Sequence, residues 1–122
     1  QLLLVKNFIE KKYKTKVVGC KTIRDNNKLA LSSRNFLLDK KDLSIAHKIS
    51  RILFSVKNKI QNKRNINKYL NKISKNLKKD FNIKVDYLEN RSEKNLKLSD
   101  KKAKSRIFFS YYLNNVRLID NI

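Results

Sequence analysis

The sequence predicts an α+β domain, with helices packed on a small, largely antiparallel sheet, preceded by the last helix–strand unit of an α/β domain. Three observations carry that expectation. Apolar residues repeat at helical spacing from Lys40 to Ile60 and again from Ile66 to Phe81. The final third changes to a period of two and ends in two short runs rich in aromatic and aliphatic residues. Before both, a helical repeat is followed at once by a β-branched run, the rhythm of an α/β unit.

In chain order, Leu2, Leu3, Val5, Phe8 and Ile9 share one helical face, with Lys6, Glu10 and Lys11 between them, so an amphipathic helix is expected to end near Tyr13. Lys16-Val17-Val18-Gly19-Cys20 reads as a short buried strand closed by the only glycine. One strand makes no sheet, so its partners are expected upstream, and a chain opening on Gln rather than Met fits that expectation. Residues 24–35 are loop-like, with Asp25, Asn26, Asn27, Ser32, Ser33 and Asn35. From about Lys40, residues Leu43, Ala46, Ile49, Ile52, Leu53, Val56 and Ile60 fall on one helical face, and Asp39 and Asp42 suit the positive end of that helix. The next helix, from about Ile66 to Phe81, has Asn65 as its expected N-cap. Ile83, Val85 and Tyr87 alternate with Lys84, Asp86 and Leu88 as a strand does, and residues 90–102 read as a long polar loop. Strands are expected over Arg106–Leu113 and Val116–Ile119, joined through Asn114-Asn115, a pair that tolerates positive φ in a tight hairpin. The expected division is 1–23, the tail of an upstream domain, and 24–122, a C-terminal domain.

Composition bounds the function classes. With 122 residues and 40% hydrophobic content the chain can bury a core, which argues against disorder. Lys and Arg number 31 against 10 acids, a net charge of +21, and such a potential attracts nucleic acid. The cations are mostly Lys dispersed along the chain among many Asn and Ile, so solvated lysines are the preferred explanation. A small basic nucleic-acid-binding domain stands as the alternative, and an inert truncation product as a third reading. The single Cys20 forms no internal disulfide and fits a reducing cytoplasm. No apolar run approaches the ~20 residues that span a bilayer, and Lys6 interrupts the apolar start too early for a signal peptide.

The chemistry concentrates in Leu29-Ala30-Leu31-Ser32-Ser33-Arg34-Asn35. Two adjacent hydroxyls and a guanidinium offer several donors to one phosphate. Taken alone, the pattern is better read as Ser32 or Ser33 capping a helix and Arg34 pairing with an acid such as Asp39. His47 reads as an ordinary helical histidine, and Cys20 as a small residue without a base partner. Asp25, Asp39, Asp42, Asp86, Glu89 and Asp120 single out no catalytic pair. The aromatics Phe108, Phe109, Tyr111 and Tyr112 could stack bases, but one member of each pair is expected to face a core.

Val17-Val18-Gly19-Cys20-Lys21-Thr22-Ile23-Arg24 followed by Leu29-Ala30-Leu31-Ser32-Ser33-Arg34-Asn35 resembles the V-G-x-x-T-x-R … L-A-[ML]-S-S-R-N stretch of the pantothenate synthetase family. Gln1-Leu2-Leu3-Leu4-Val5-Lys6, Val85-Asp86-Tyr87-Leu88-Glu89 and Arg117-Leu118-Ile119-Asp120-Asn121 resemble three further blocks, in family order and spacing. The resemblance implies the C-terminal portion of an ATP- and Mg²⁺-dependent ligase with a nucleotide-binding α/β domain. Such an enzyme activates pantoate as an adenylate, releases pyrophosphate, and lets β-alanine displace AMP. It implies that Ser32, Ser33 and Arg34, with Leu31 beside them, grip the triphosphate. Ile23 would contact the nucleotide through its backbone, and Gln1 would bond pantoate. It also implies a C-terminal domain that closes like a lid, and a homodimer formed mainly through the upstream domain. The family's adenylation histidines match nothing here, so no catalytic residue is assigned and the chain alone is expected to be inactive. Two departures stand out: Lys21 replaces a Pro, and Lys28 replaces a Gly in a turn that Gly would enter freely.

Overall fold

In a computed structural model of the chain, residues 2–60, 64–101 and 103–122 are described. The elements run α1 (Leu2–Lys12), a 3₁₀ turn (Ser33–Leu37), α2 (Lys40–Lys59), α3 (Ile66–Phe81), β1 (Lys84–Ser92), β2 (Ser105–Leu113) and β3 (Val116–Asn121). The three strands form an antiparallel meander in the order β1-β2-β3. α3 packs on β1 and α2 on β2, while the 3₁₀ turn lies against β3.

The expected stripe of α2 forms the core: Ala46, Ile49, Leu53, Val56 and Ile60 are buried, and Leu43 and Ile52 pack at its margin. Ile66, Leu70 and Leu77 of α3 join them, together with Ile107, Phe109, Tyr111 and Leu113 of β2. Removing a side chain such as Ile49 or Leu70 from water stabilises the fold by about 1.5–3 kcal/mol. Phe109 and Tyr111 stack within this core with centroids 4.7 Å apart, so these two rings offer no base-stacking platform.

Asp39 caps α2 as its sequence position suggests, its carboxylate accepting the Asp42 amide at 2.7 Å. α3 differs. Asn65 occupies the N-cap position but its side chain makes no capping bond. The Asp100 carboxylate, from the loop between β1 and β2, accepts the Asn67 amide at 2.8 Å instead. α3 ends on Asn82 in the left-handed conformation, a common helix stop.

The alternation predicted for β1 holds only to Val85. The pairing runs Val85 to Tyr111 and then Tyr87 to Ser110, so Asp86 is an extra residue in a β-bulge. Beyond it the inward side switches, and Leu88 and Asn90 are buried where Tyr87 was expected to be. The turn between β2 and β3 has two residues, with Asn114 at φ 49.

Residues 16–20 form no strand and stand largely exposed. None of the described strands runs beside them. α1 is helical, as its period requires, yet buries no residue. Among the described residues the exposed large apolar ones are Leu2, Leu4, Val5, Phe8, Tyr13, Val18, Ile23, Leu31, Phe36, Leu37, Leu98 and Ile119, and all but the last two lie within the first 37 positions. Among the described residues no helix is long and apolar enough to cross a membrane.

Candidate functional site

Residues 23–31 fold into a tight hairpin whose strands lie side by side at Arg24 and Ala30. The Leu31 amide donates to the Ile23 carbonyl and the Asp25 amide to the Leu29 carbonyl, each at 3.0 Å. Asp25 organises the turn, its Oδ1 accepting the amides of Asn27 at 2.8 Å and Leu29 at 3.0 Å, the local bonding to which aspartate is suited. Lys28 sits at φ 71, the left-handed region in which only glycine is free of a Cβ penalty.

Two long-range ties fix this hairpin. Arg24 forks onto Asp120 of β3 with bonds of 2.6 and 2.8 Å, its side chain 16% and that of Asp120 12% exposed. The same guanidinium reaches the carbonyls of Lys28 and Asn121 and lies 5.0 Å from the centroid of the Phe54 ring. His47 of α2 meets the other oxygen of Asp25 at 2.7 Å. The lone histidine is therefore a strut between helix and turn.

The chain leaves the hairpin through Leu31 and Ser32 and enters the 3₁₀ turn. Ser32 is extended, and its Oγ accepts the Arg34 amide at 3.3 Å. The Asn35 amide donates to the Ser32 carbonyl, and its side chain to the Ala30 carbonyl, both at 3.0 Å. Ser32, Ser33 and Arg34 are all exposed. Arg34 does not pair with Asp39, which is occupied at the cap of α2. Among the described residues its guanidinium forms no ion pair, and its one bond is a long 3.4 Å contact to the Arg117 carbonyl. A guanidinium without a carboxylate, beside two exposed hydroxyls on a braced turn, is suited to bind phosphate oxygens.

Ile23 and Leu31, both assigned to the nucleotide on sequence grounds, face each other across the hairpin with side chains 72% and 59% exposed. The Ile23 carbonyl is taken by Leu31, which leaves its amide for any backbone contact. Gln1 lies outside the described residues. Sequence reasoning missed the Arg24–Asp120 fork and the Asp25–His47 strut. The available signal for the fork was an Arg and an Asp in two of the recognised blocks, 96 residues apart.

Beneath the turn lies a cavity of about 40 Å³, lined among others by Ser32, Arg34, Ser50, Tyr111 and Asp120. Burial, aided by the charge of Asp120, pushes the Tyr111 hydroxyl above its usual pKa, so it remains a proton donor. No three His, Cys, Asp or Glu side chains among the described residues gather as metal ligands.

The sequence pattern of the Pantoate-beta-alanine ligase family matches residues 1–122. Similar curated proteins include the pantothenate synthetase of Flavobacterium psychrophilum, 34% identical over all of this chain and 44% of that protein, and that of Campylobacter hominis, 35% identical over all of this chain and 45% of that protein. The chain thus spans less than half the length of these relatives. Among solved structures, the pantothenate synthetase of Thermus thermophilus superposes with a TM-score of 0.85 at 26% identity, over 99% of this chain and 45% of that one. The pantoate-beta-alanine ligase of Francisella tularensis, complexed with beta-gamma ATP and beta-alanine, superposes with a TM-score of 0.70 at 31% identity, over all of this chain and 39% of that one.

Proposed function

The chain belongs to the pantoate-beta-alanine ligase family, and from that premise we propose that it supplies the triphosphate-gripping turn and the lid of an ATP-dependent ligase. The reaction joins pantoate to β-alanine through a pantoyl adenylate and releases AMP and pyrophosphate. The observation that carries the proposal is the family match over the whole chain, in which Ser32, Ser33 and Arg34 stand exposed on a braced turn. Catalysis in such a reaction is mainly positioning and neutralisation of charge on the triphosphate. Arg34 would take up charge on the phosphates, Ser32 and Ser33 would donate to the same oxygens, and the Ile23–Leu31 hairpin edge would lie along the nucleotide. Gln1 is assigned to pantoate by position in the family pattern.

Mg²⁺ would enter as part of the nucleotide substrate, since it is commonly held by substrate phosphates with few protein ligands. The proposal divides the chain at about residue 23. Residues 1–23 would complete a nucleotide-binding domain formed largely by chain that this sequence does not contain, and residues 24–122 would be the lid. A cytoplasmic, homodimeric complete enzyme belongs to the same reading. The chain's one histidine is engaged with Asp25, so this chain alone is expected to form no AMP from ATP and pantoate.

The test is genetic and then enzymatic. The coding sequence is extended to its full reading frame and expressed in a pantothenate-requiring bacterium. Growth without pantothenate, with pantoate- and β-alanine-dependent AMP formation by the purified product, is expected. A full-length product that neither rescues growth nor forms AMP overturns the proposal.

A further inference from the structure

Tyr111 is 3% exposed, and its hydroxyl has no hydrogen-bond partner among the described residues. A buried hydroxyl left so forfeits its solvation, a loss that proteins ordinarily avoid with a partner or an ordered water. The ring is held by its stack on Phe109, so the hydroxyl has little freedom to seek a partner elsewhere. The residue lines the cavity beneath the Ser32–Arg34 turn. The other polar side chains around that space are Ser32, Arg34, Asn35, Ser50 and Asp120. Ser50 is itself 3% exposed, an unusual placement for a serine in the apolar stripe of α2. A cavity of about 40 Å³ with several polar walls is roomy enough for water, which needs about 10–15 Å³ and two to four polar partners.

We propose that this cavity is a built water site in which Tyr111 and Ser50 hold ordered water against the underside of the Ser32–Arg34 turn, making Tyr111 a positioning residue for the phosphate grip. The phosphate-gripping part rests on the function proposed above; the water site does not. Tyr111 donates its proton to the water, and the water donates onward to oxygens of Ser32, Ser50 or Asp120. Asp120, the carboxylate of the Arg24 fork, lines one wall, so the water joins the fork to the turn. The raised pKa of the hydroxyl keeps it a donor across the working pH range.

The test is Tyr111→Phe in this chain, with three readouts. If water bridges the hydroxyl, the variant melts lower than the parent, because the water loses a partner. An orphan hydroxyl predicts the opposite, a higher melting temperature, and that result overturns the proposal. Hydrogen exchange of the Asn35 amide, which donates to the Ser32 carbonyl, is expected to speed up about fivefold, the effect of one modest hydrogen bond, while amides of the β1–β2 ladder are unchanged. A lower melting temperature with unchanged Asn35 exchange means a merely structural tyrosine and also overturns it. Ser50→Ala is the second variant and should speed Asn35 exchange likewise, which keeps the test open if Tyr111→Phe does not fold. Inorganic triphosphate is then titrated into the full-length product and its Tyr111→Phe variant, with about fivefold weaker binding expected in the variant. Equal affinity overturns the positioning role. A full-length parent that does not bind triphosphate counts against the proposed function of the turn, while the melting and exchange results still decide the water site.

Discussion

At Lys28 the sequence departs from the glycine its family pattern expects, and the backbone keeps the geometry that glycine would adopt, φ 71. The strain is held in place by neighbours: Asp25 accepts two amides of the turn, Arg24 bonds the Lys28 carbonyl, and His47 braces Asp25. Lys28→Gly is therefore expected to raise stability by about 0.5–1 kcal/mol, the left-handed penalty less the extra entropy of glycine, as read by urea denaturation. A loss of stability would mean that the Lys28 side chain contributes something the backbone argument omits. The opposite sign is expected at the fork. Asp120→Ala leaves the mostly buried Arg24 guanidinium without its carboxylate and should cost about 2–3 kcal/mol. Arg24, the last residue of one family block, and Asp120 were both legible as residues. Their partnership was not, because a contact across 96 residues leaves no periodic trace in sequence.

Helices and strands were legible wherever a side-chain period runs uninterrupted. The bounds expected for α3 match those observed because its stripe of Ile66, Tyr69, Leu70, Ile73 and Leu77 is unbroken. β1 was legible only to its bulge, since one extra residue at Asp86 reverses every later side chain without disturbing composition. The position of the α3 cap was legible at Asn65 but the capping bond was not, for a similar reason. A local rule selects Asn65, but the bond comes from Asp100, 33 residues away from the amide it accepts. Asn65→Ala should thus be nearly neutral, whereas Asp100→Ala should cost about 1 kcal/mol in thermal or urea unfolding. The reverse order would refute the remote cap. Asn90, 1% exposed, is the other hidden organiser. Its side chain donates to the carbonyls of Ser99 and Lys101 and to the Ser105 hydroxyl, stapling the loop that the sequence marked only as polar. Asn90→Ala should cost about 2–3 kcal/mol, because it strands buried acceptors, and should expose that loop to protease.

Across the described residues the exposed apolar side chains are unevenly placed, whereas the lysines are dispersed. Apolar exposure gathers in α1 and the following residues up to Leu37, where a strand-like run finds no described partner. That is the part the proposed function assigns to a larger nucleotide-binding domain, and the shortness of the chain against its relatives accords with it. The net charge of +21 acts on the whole body through mutual repulsion. Raising salt from low to physiological levels should stabilise the chain, since screening weakens repulsion between exposed charges. The same salt should abolish any affinity for duplex DNA or RNA if the lysines are solvated background. Retained binding there, with a slope of several released ions, would revive the nucleic-acid reading.

The central claim is that the Ser32–Arg34 turn grips the triphosphate of ATP, and pantoate-dependent exchange of labelled pyrophosphate into ATP by the full-length product tests it most directly. Arg34→Ala should leave the fold intact and lower kcat/KM for ATP by a hundredfold or so, the scale of a lost charge-stabilising donor. Ser33→Ala should have a smaller effect in the same direction. An Arg34→Ala enzyme that exchanges pyrophosphate as fast as the parent, at subsaturating ATP, would contradict the account.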